Sequence, residues 1–242
     1  ISIPSSISGI QLEVERSTLS PTAIAVLDNW TNGLTKTISA GVARCLVVGI
    51  FMENGLGARD VTAVIYGGQS LTQITQASVG GAAFTGKIEW WCLMESGITS
   101  ATSTAISLTF DGTALDQNWE GVSSAVYQFV DQVVPVSATA AFSSNAATNP
   151  ITLSPALNTF QGGFSISSVF CGNNTTPASA VNGTNTYLIN SGFTETIDTY
   201  SANSGFTGSG GAFQVAHKAT ATSGTEAPTY TFAGTANRQV AC

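Results

Sequence analysis

Chemistry in this chain would have to come from a short set of side chains. There is one histidine, His217, in "FQVAHKAT". It lies in an alternating apolar–polar run, and no G-x-S-x-G elbow accompanies it, so a Ser-His-Asp arrangement has no frame. Two acids, Glu89 and Glu95, flank an aromatic stretch containing Trp90 and Trp91. Paired acids across a cleft with a stacking tryptophan would suit sugar chemistry or sugar binding. On a strand, however, Trp90 and Trp91 point to opposite faces, one into a core and one into a second layer or a partner. "FDGTALDQN" brings Asp111, Asp116 and Asn118 together, oxygen ligands of the kind calcium takes, but the spacing is not that of an EF-hand loop. Asp111-Gly112 reads more simply as a turn after the strand at 104–110. No catalytic residue, metal or cofactor is expected.

The cysteines are Cys45, Cys92, Cys171 and Cys242. They form no CxxC pair, and a single histidine is poor support for a zinc site. An even count in a Ser/Thr/Asn-rich chain reads as two disulfides in an oxidising compartment, with Cys242 tying down the last strand. Four cysteines allow three pairings, and the sequence does not choose among them. The other reading is four buried thiols.

The elements that must carry these residues are strands. "RCLVVGIF" (44–51) is apolar on both faces, as a central strand would be. "IQLEVE" (10–15), "KIEWWCLME" (87–95), "TAISLTF" (104–110), "SAVYQFV" (124–130), "GFSISSVF" (163–170) and "PTYTFAG" (228–234) are short and rich in β-branched and aromatic residues. Turn-forming clusters separate them, and no amphipathic helices intervene, which points to an antiparallel sandwich. Residues 20–30 carry Ser20 and Pro21 as a helix start but Thr22, Ile24 and Val26 as strand formers, so helix and strand are both open. Residues 135–162 have little apolar pattern; they form either a linker or a strand with long loops.

"VTAVIYGGQSLTQI" (61–74) has two glycines between two alternating runs. Gly67 and Gly68 fit the central positions of a type I′ hairpin, which need positive φ. A phosphate cradle would need a helix to follow, and none is patterned here. The hairpin register predicts Tyr66 opposite Gln69, Ile65 opposite Ser70, Val64 opposite Leu71, and onward to Val61 opposite Ile74.

The 242 residues are 43% hydrophobic but only 9% charged, with a net charge of −7. An ordinary soluble protein is about a quarter charged. Seven scattered basic residues cannot form the patch that nucleic acid or an anionic membrane needs. No apolar run reaches the ~20 residues of a membrane helix. The start "ISIPSSIS" does not have the pattern of a signal peptide, which suggests a leader already removed. Sequons at Asn29, Asn173, Asn174 and Asn182 are candidate glycosylation sites and fit secretion.

The runs "RCLVVGIFMENGLGARDVTAVIYGGQSLTQIT", "KIEWWCLMES" and "SAVYQFVDQVVPV", with the closing "GGAFQVAHKAT" and "PTYTFAGTANRQVAC", resemble a module that recurs in secreted and surface proteins of bacteria. The likeness spans about residues 40–242, and the YGGQ-L-T hairpin is its most specific part. It implies a jelly-roll-like all-β sandwich, extracellular or surface-attached, with no assigned catalytic residues. Residues 1–39 would then be an extended lead-in and 40–242 the sandwich domain.

Ahead of that region, "ISIPSSISGIQLEVE" is extended and alternating. Ile1, Ile3, Ile7, Ile10, Leu12 and Val14 could fill pockets on a neighbouring copy while the backbone adds to an open sheet edge. Repeated head to tail, this gives a pilus-like homopolymer. The segment could equally be the first strand of its own sandwich. Other functions compatible with the sequence are a monomeric adhesin or carbohydrate-binding module meeting a glycan or host surface, and, less directly, a viral capsid or tail protein.

Overall fold

The computed structural model describes residues 22–55, 60–80, 84–111, 119–146, 148–173, 188–189, 192–202, 210–231 and 238–242. The first part of the chain gives β1 (Ala25–Asn32), β2 (Cys45–Gly55), β3 (Val61–Tyr66), β4 (Gln69–Ser70), β5 (Thr72–Gly80), β6 (Phe84–Met94), the one-turn helix α1 (Glu95–Ser100), β7 (Ile106–Phe110) and β8 (Trp119–Gln128). The second gives β9 (Phe142–Ser144), β10 (Ile151–Thr152), β11 (Leu157–Thr159), β12 (Phe164–Asn173), β13 (Leu188–Ile189), β14 (Thr194–Ala202), β15 (Gly210–Ala219), β16 (Gly224–Glu226), β17 (Thr229–Thr231) and β18 (Arg238–Ala241).

Two five-stranded antiparallel sheets face each other, with orders β1-β8-β2-β6-β5 and β14-β15-β12-β18-β9. The fold is an all-β sandwich. Each main sheet comes from one half of the chain. Their shared core holds Trp30, Phe51, Trp90, Tyr127, Phe170, Phe213 and Val240. Phe51 and Phe213 stack across the layers with centroids 4.1 Å apart. Trp30 and Phe51 meet Trp90 edge-on. Gly49 faces the Trp90 ring: a Cβ there would come within 3.0 Å of it, so only glycine leaves room.

Each main sheet is covered again on its outer face. The three-stranded β4-β3-β7 sheet packs Val61, Val64, Tyr66 and Ile106 against Leu46, Val48, Ile50 and Met52 of β2. On the far side, Ile151, Leu153 and Tyr230 cover Val169, Cys171 and Ala212. This double covering is why residues 45–52 of β2 read as apolar without a break. Odd residues face the central core and even residues face the outer layer.

The hairpin begins as expected. Gly67 and Gly68 have φ of 54° and 86°, and Tyr66 pairs with Gln69 and Ile65 with Ser70. Leu71 N–H still donates to Val64 O at 2.8 Å. There the expected register ends. β5 leaves β3 and pairs with β6, Thr72 opposite Cys92, while β3 takes β7 as its partner. Val61 lies opposite Phe110, not Ile74. The strand that follows the hairpin thus links the outer layer to the main sheet.

Residues 25–32 resolve as strand, paired with β8 from Ala25↔Gln128 to Asn32↔Ser123. Strand pairing at an open edge outweighs the Ser20-Pro21 start signal, which lies outside the described residues. Lys36 fastens this edge: its buried Nζ donates to Asn29 O, Thr31 Oγ1 and Ser124 O. Burial lowers its pKa, against the pull of Asp28. β1, which falls within the lead-in expected over residues 1–39, belongs to the first main sheet. Residues 135–162 are short strands with long loops rather than a linker. The segment holding Ile1, Ile3, Ile7, Ile10, Leu12 and Val14 lies outside the described residues.

Candidate functional site: an apolar cavity between the sheets

The residues singled out for chemistry are dispersed and held in structural roles. Trp90 and Trp91 are both buried, one in the central core and one in the outer layer, so neither forms a platform for a sugar ring. Glu89 is fully buried. Glu95 starts α1 and receives Arg44 N at 2.7 Å and Arg44 Nε at 2.9 Å, which with the guanidinium charge holds its pKa down at about 2. The two acids share no cleft. Asp111 Oδ1 accepts the Asp60 N–H at 2.7 Å, a turn contact, while Asp116 and Asn118 lie outside the described residues. No cluster of three metal-ligating side chains occurs among the described residues.

His217 sits on β15, opposite Ile166 of β12 and Thr194 of β14. Its Nδ1 lies 3.1 Å from Tyr127 Oη, and Trp30 Nε1 donates to that same oxygen at 3.0 Å. With one lone pair of Tyr127 taken by Trp30, the hydroxyl proton is free to point at Nδ1. Burial lowers the His217 pKa, consistent with a neutral ring that accepts this proton. The relay joins the two main sheets.

The structure does not support the expected disulfides: all four cysteines are buried free thiols. The strand faces explain why two bridges do not form. Cys171 looks outward from β12, whereas Cys45, Cys92 and Cys242 share the central core. Cys45 and Cys92 are diagonal neighbours on β2 and β6, since Val47 lies opposite Cys92 and Cys45 opposite Met94. A thiol–thiol hydrogen bond raises the Cys45 pKa, helped by burial, and lowers that of Cys92, against burial. Burial pushes Cys242 up to about 12. The chain end is held by backbone instead. Cys242 and Ser168 exchange N–H···O bonds of 2.7 and 3.0 Å, and fully buried Tyr230 donates to Ser167 Oγ, which donates to Cys242 O.

Of the glycosylation candidates, Asn29 is exposed on β1. Asn173 closes β12 opposite Gly210. Asn174 and Asn182 lie outside the described residues.

What the sequence did not reveal is a cavity of about 490 Å³ in the central core, beneath the ends of β2, β6 and β8. Its walls include Cys45, Val47, Trp90 and Tyr127 from one sheet and Phe164 and Ile166 from the other. Thr22 and Ile24 are among its lining residues. Ile24 N–H bonds Gly162 O at 2.8 Å, fixing that entry point.

The surrounding loops are unusual in two ways. Val134, Val136 and Phe160 line the cavity yet stay exposed, Phe160 by 58%. Phe129, also in the wall, has φ of 63°, a left-handed conformation that a bulky residue adopts only when its surroundings impose it. Here Phe129 N–H and Val130 N–H are tied to Val42 O and Ala43 O. The lining is mainly apolar, which suits an aliphatic occupant, with Asp131, Asn158, Gln161 and Glu226 also bordering the cavity.

No family model, curated protein or solved structure matches the chain. Its function is therefore read from its own residues.

Proposed function

We propose that this protein is a structural subunit that assembles with copies of itself outside the cell, each subunit's N-terminal segment docking into the inter-sheet cavity of the next. The observation that carries the reading is the cavity itself: mainly apolar, rimmed by exposed Val134, Val136 and Phe160, and lined in part by Thr22 and Ile24, which follow the N-terminal segment in sequence. That segment brings Ile1, Ile3, Ile7, Ile10, Leu12 and Val14, aliphatic groups of the kind the void would accept. A cavity of this size leaves packing unsatisfied, and filling it from a neighbour converts that deficit into association. The resemblance to bacterial surface modules agrees with an extracellular setting. A glycan-binding role loses its main argument with Trp90 and Trp91 both buried.

The test is deletion of residues 1–15. The shortened protein should fold and remain monomeric by light scattering and electron microscopy, while the full chain forms filaments. A synthetic peptide of residues 1–15 should bind the shortened protein and block polymerisation of the full chain. Filaments that persist after deletion, or a full chain monomeric at every concentration, would sink the reading.

A further inference from the structure

Lys87 and Glu89 lie two residues apart on β6, both turned toward the outer sheet and away from Ile88 and Trp90. Lys87 has 3% of its side chain exposed and Glu89 none. Lys87 Nζ contacts Asp60 Oδ1 and lies 3.0 Å from Glu89 Oε1. The two carboxylates are not equivalent. Glu89 is held by three further donors: Val61 N–H on Oε1 at 3.1 Å, and Gln73 Nε2 and Trp91 Nε1 on Oε2 at 3.0 and 3.1 Å. Asp60 instead meets Lys87 with a side chain 55% exposed. Its backbone is clamped from both sides, Asp60 N–H to Asp111 Oδ1 and Asp111 N–H to Asp60 O at 3.0 Å. An amine, a carboxyl carbon and a second carboxylate are thus assembled with little freedom to separate.

We propose that Lys87 and Asp60 become joined by an intramolecular amide bond, with Glu89 carrying the protons. Lys87 Nζ bonds to Asp60 Cγ, and one Cγ–O bond breaks. Two of the three ammonium protons pass by way of Glu89 Oε1 to the departing oxygen, which leaves as water on the exposed side of Asp60. Ammonium and carboxylate become a neutral amide and water; Glu89 ends as it began, and no oxidant or cofactor is consumed. Two physical effects favour the step. Fixed contact replaces a chance encounter. The product also removes a charge pair whose buried lysine is costly to keep desolvated. Residues 60 and 87 are 27 apart in sequence, so the bond would staple the start of β3 to β6, and with it the outer sheet to the main one. The inference does not depend on self-assembly.

The test is the intact mass of the purified full chain, denatured and with thiols reduced. The expected value is about 18 Da below the mass calculated from the sequence, the loss of one water. Proteolysis should yield a branched peptide linking Asp60 to Lys87. Lys87→Arg and Asp60→Ala should each restore the sequence mass, and Glu89→Gln should leave the bond unformed. A wild-type chain at its full sequence mass overturns the proposal, with no variant required to fold. A branch at any other pair, such as Lys218 with Glu226, overturns it as well. Complete water loss in Glu89→Gln removes Glu89 from the reaction.

Discussion

The two faces of β2 meet different surroundings. On one side Leu46, Val48, Ile50 and Met52 are fully buried against the small outer sheet. On the other, Phe51 stacks on Phe213 at one end of the strand, while Cys45 and Val47 border a void at the other. The same strand, alternating residue by residue, builds one filled layer and one that is filled only in part. The buried members of the filled layer all fall within residues 46–126, sealed by the β3–β4 hairpin and α1, with Leu27 and Ile38 packed at its margin. The central core needs both halves of the chain to meet, and it is there that the packing is left open.

Substitutions along β2 test this contrast most strongly. Ile50→Ala should cost about 2–5 kcal/mol in denaturant unfolding, because neighbours in the filled layer cannot collapse onto the space left, and Phe51→Ala, at the packed part of the central core against Phe213, about 3–5 kcal/mol. At the hairpin that seals the outer layer, Gly67→Ala should cost more than Gly68→Ala. Both glycines have positive φ, which alone costs an L-residue about 1–2 kcal/mol. Gly67 adds a clash, since its Cβ would lie 2.4 Å from Ser103 O, whereas at Gly68 the nearest atom is 3.9 Å away. Overpacking of this kind adds about 1–3 kcal/mol.

Smaller effects are expected at the cavity. Val47→Ala should cost only about 1 kcal/mol, and Val47→Ile should be neutral or stabilising by up to about 1 kcal/mol, as cavity filling commonly is. If Val47→Ala proves as damaging as Ile50→Ala, the two faces of β2 are alike and the contrast fails.

The smallest effects are those of pH. The His217 pKa is depressed by burial, so its contribution is complete above its unfolded value near 6.5 and declines as pH falls below that. His217→Gln should flatten this part of the profile. Glu95, lowered from 4.5 to about 2 by Arg44, contributes fully above about pH 4.5 and loses that contribution as pH falls toward 2. With solvent screening its worth is about 1 kcal/mol. Glu95→Gln should remove the acid step and leave the His217 step in place; the measurement is melting temperature against pH.

Much of the architecture was legible in the chain because strand alternation is local. The unbroken apolar character of residues 45–52 required a strand covered on both sides. The adjacent Trp90 and Trp91 required opposite faces, and two consecutive glycines required a tight turn. Even the opposed environment of Lys87 and Glu89 was latent in "KIEWW": two charges at i and i+2, interleaved with Ile88 and Trp90, must share one face. Their depth was not, because it depends on β3 and β5 arriving over them.

The alternating pattern thus determined which residues face together, since side-chain direction follows from backbone geometry one residue at a time. Tertiary structure alone decided what each face would meet. It sent β5 to β6 after only two hairpin pairs, made a strand of residues 25–32 because β8 offered an edge, and placed Cys171 on the far side of its sheet from Cys242. It also left a void beside Thr22. Such outcomes turn on competition among distant partners for the same edge or the same space, and no local window of sequence contains both competitors.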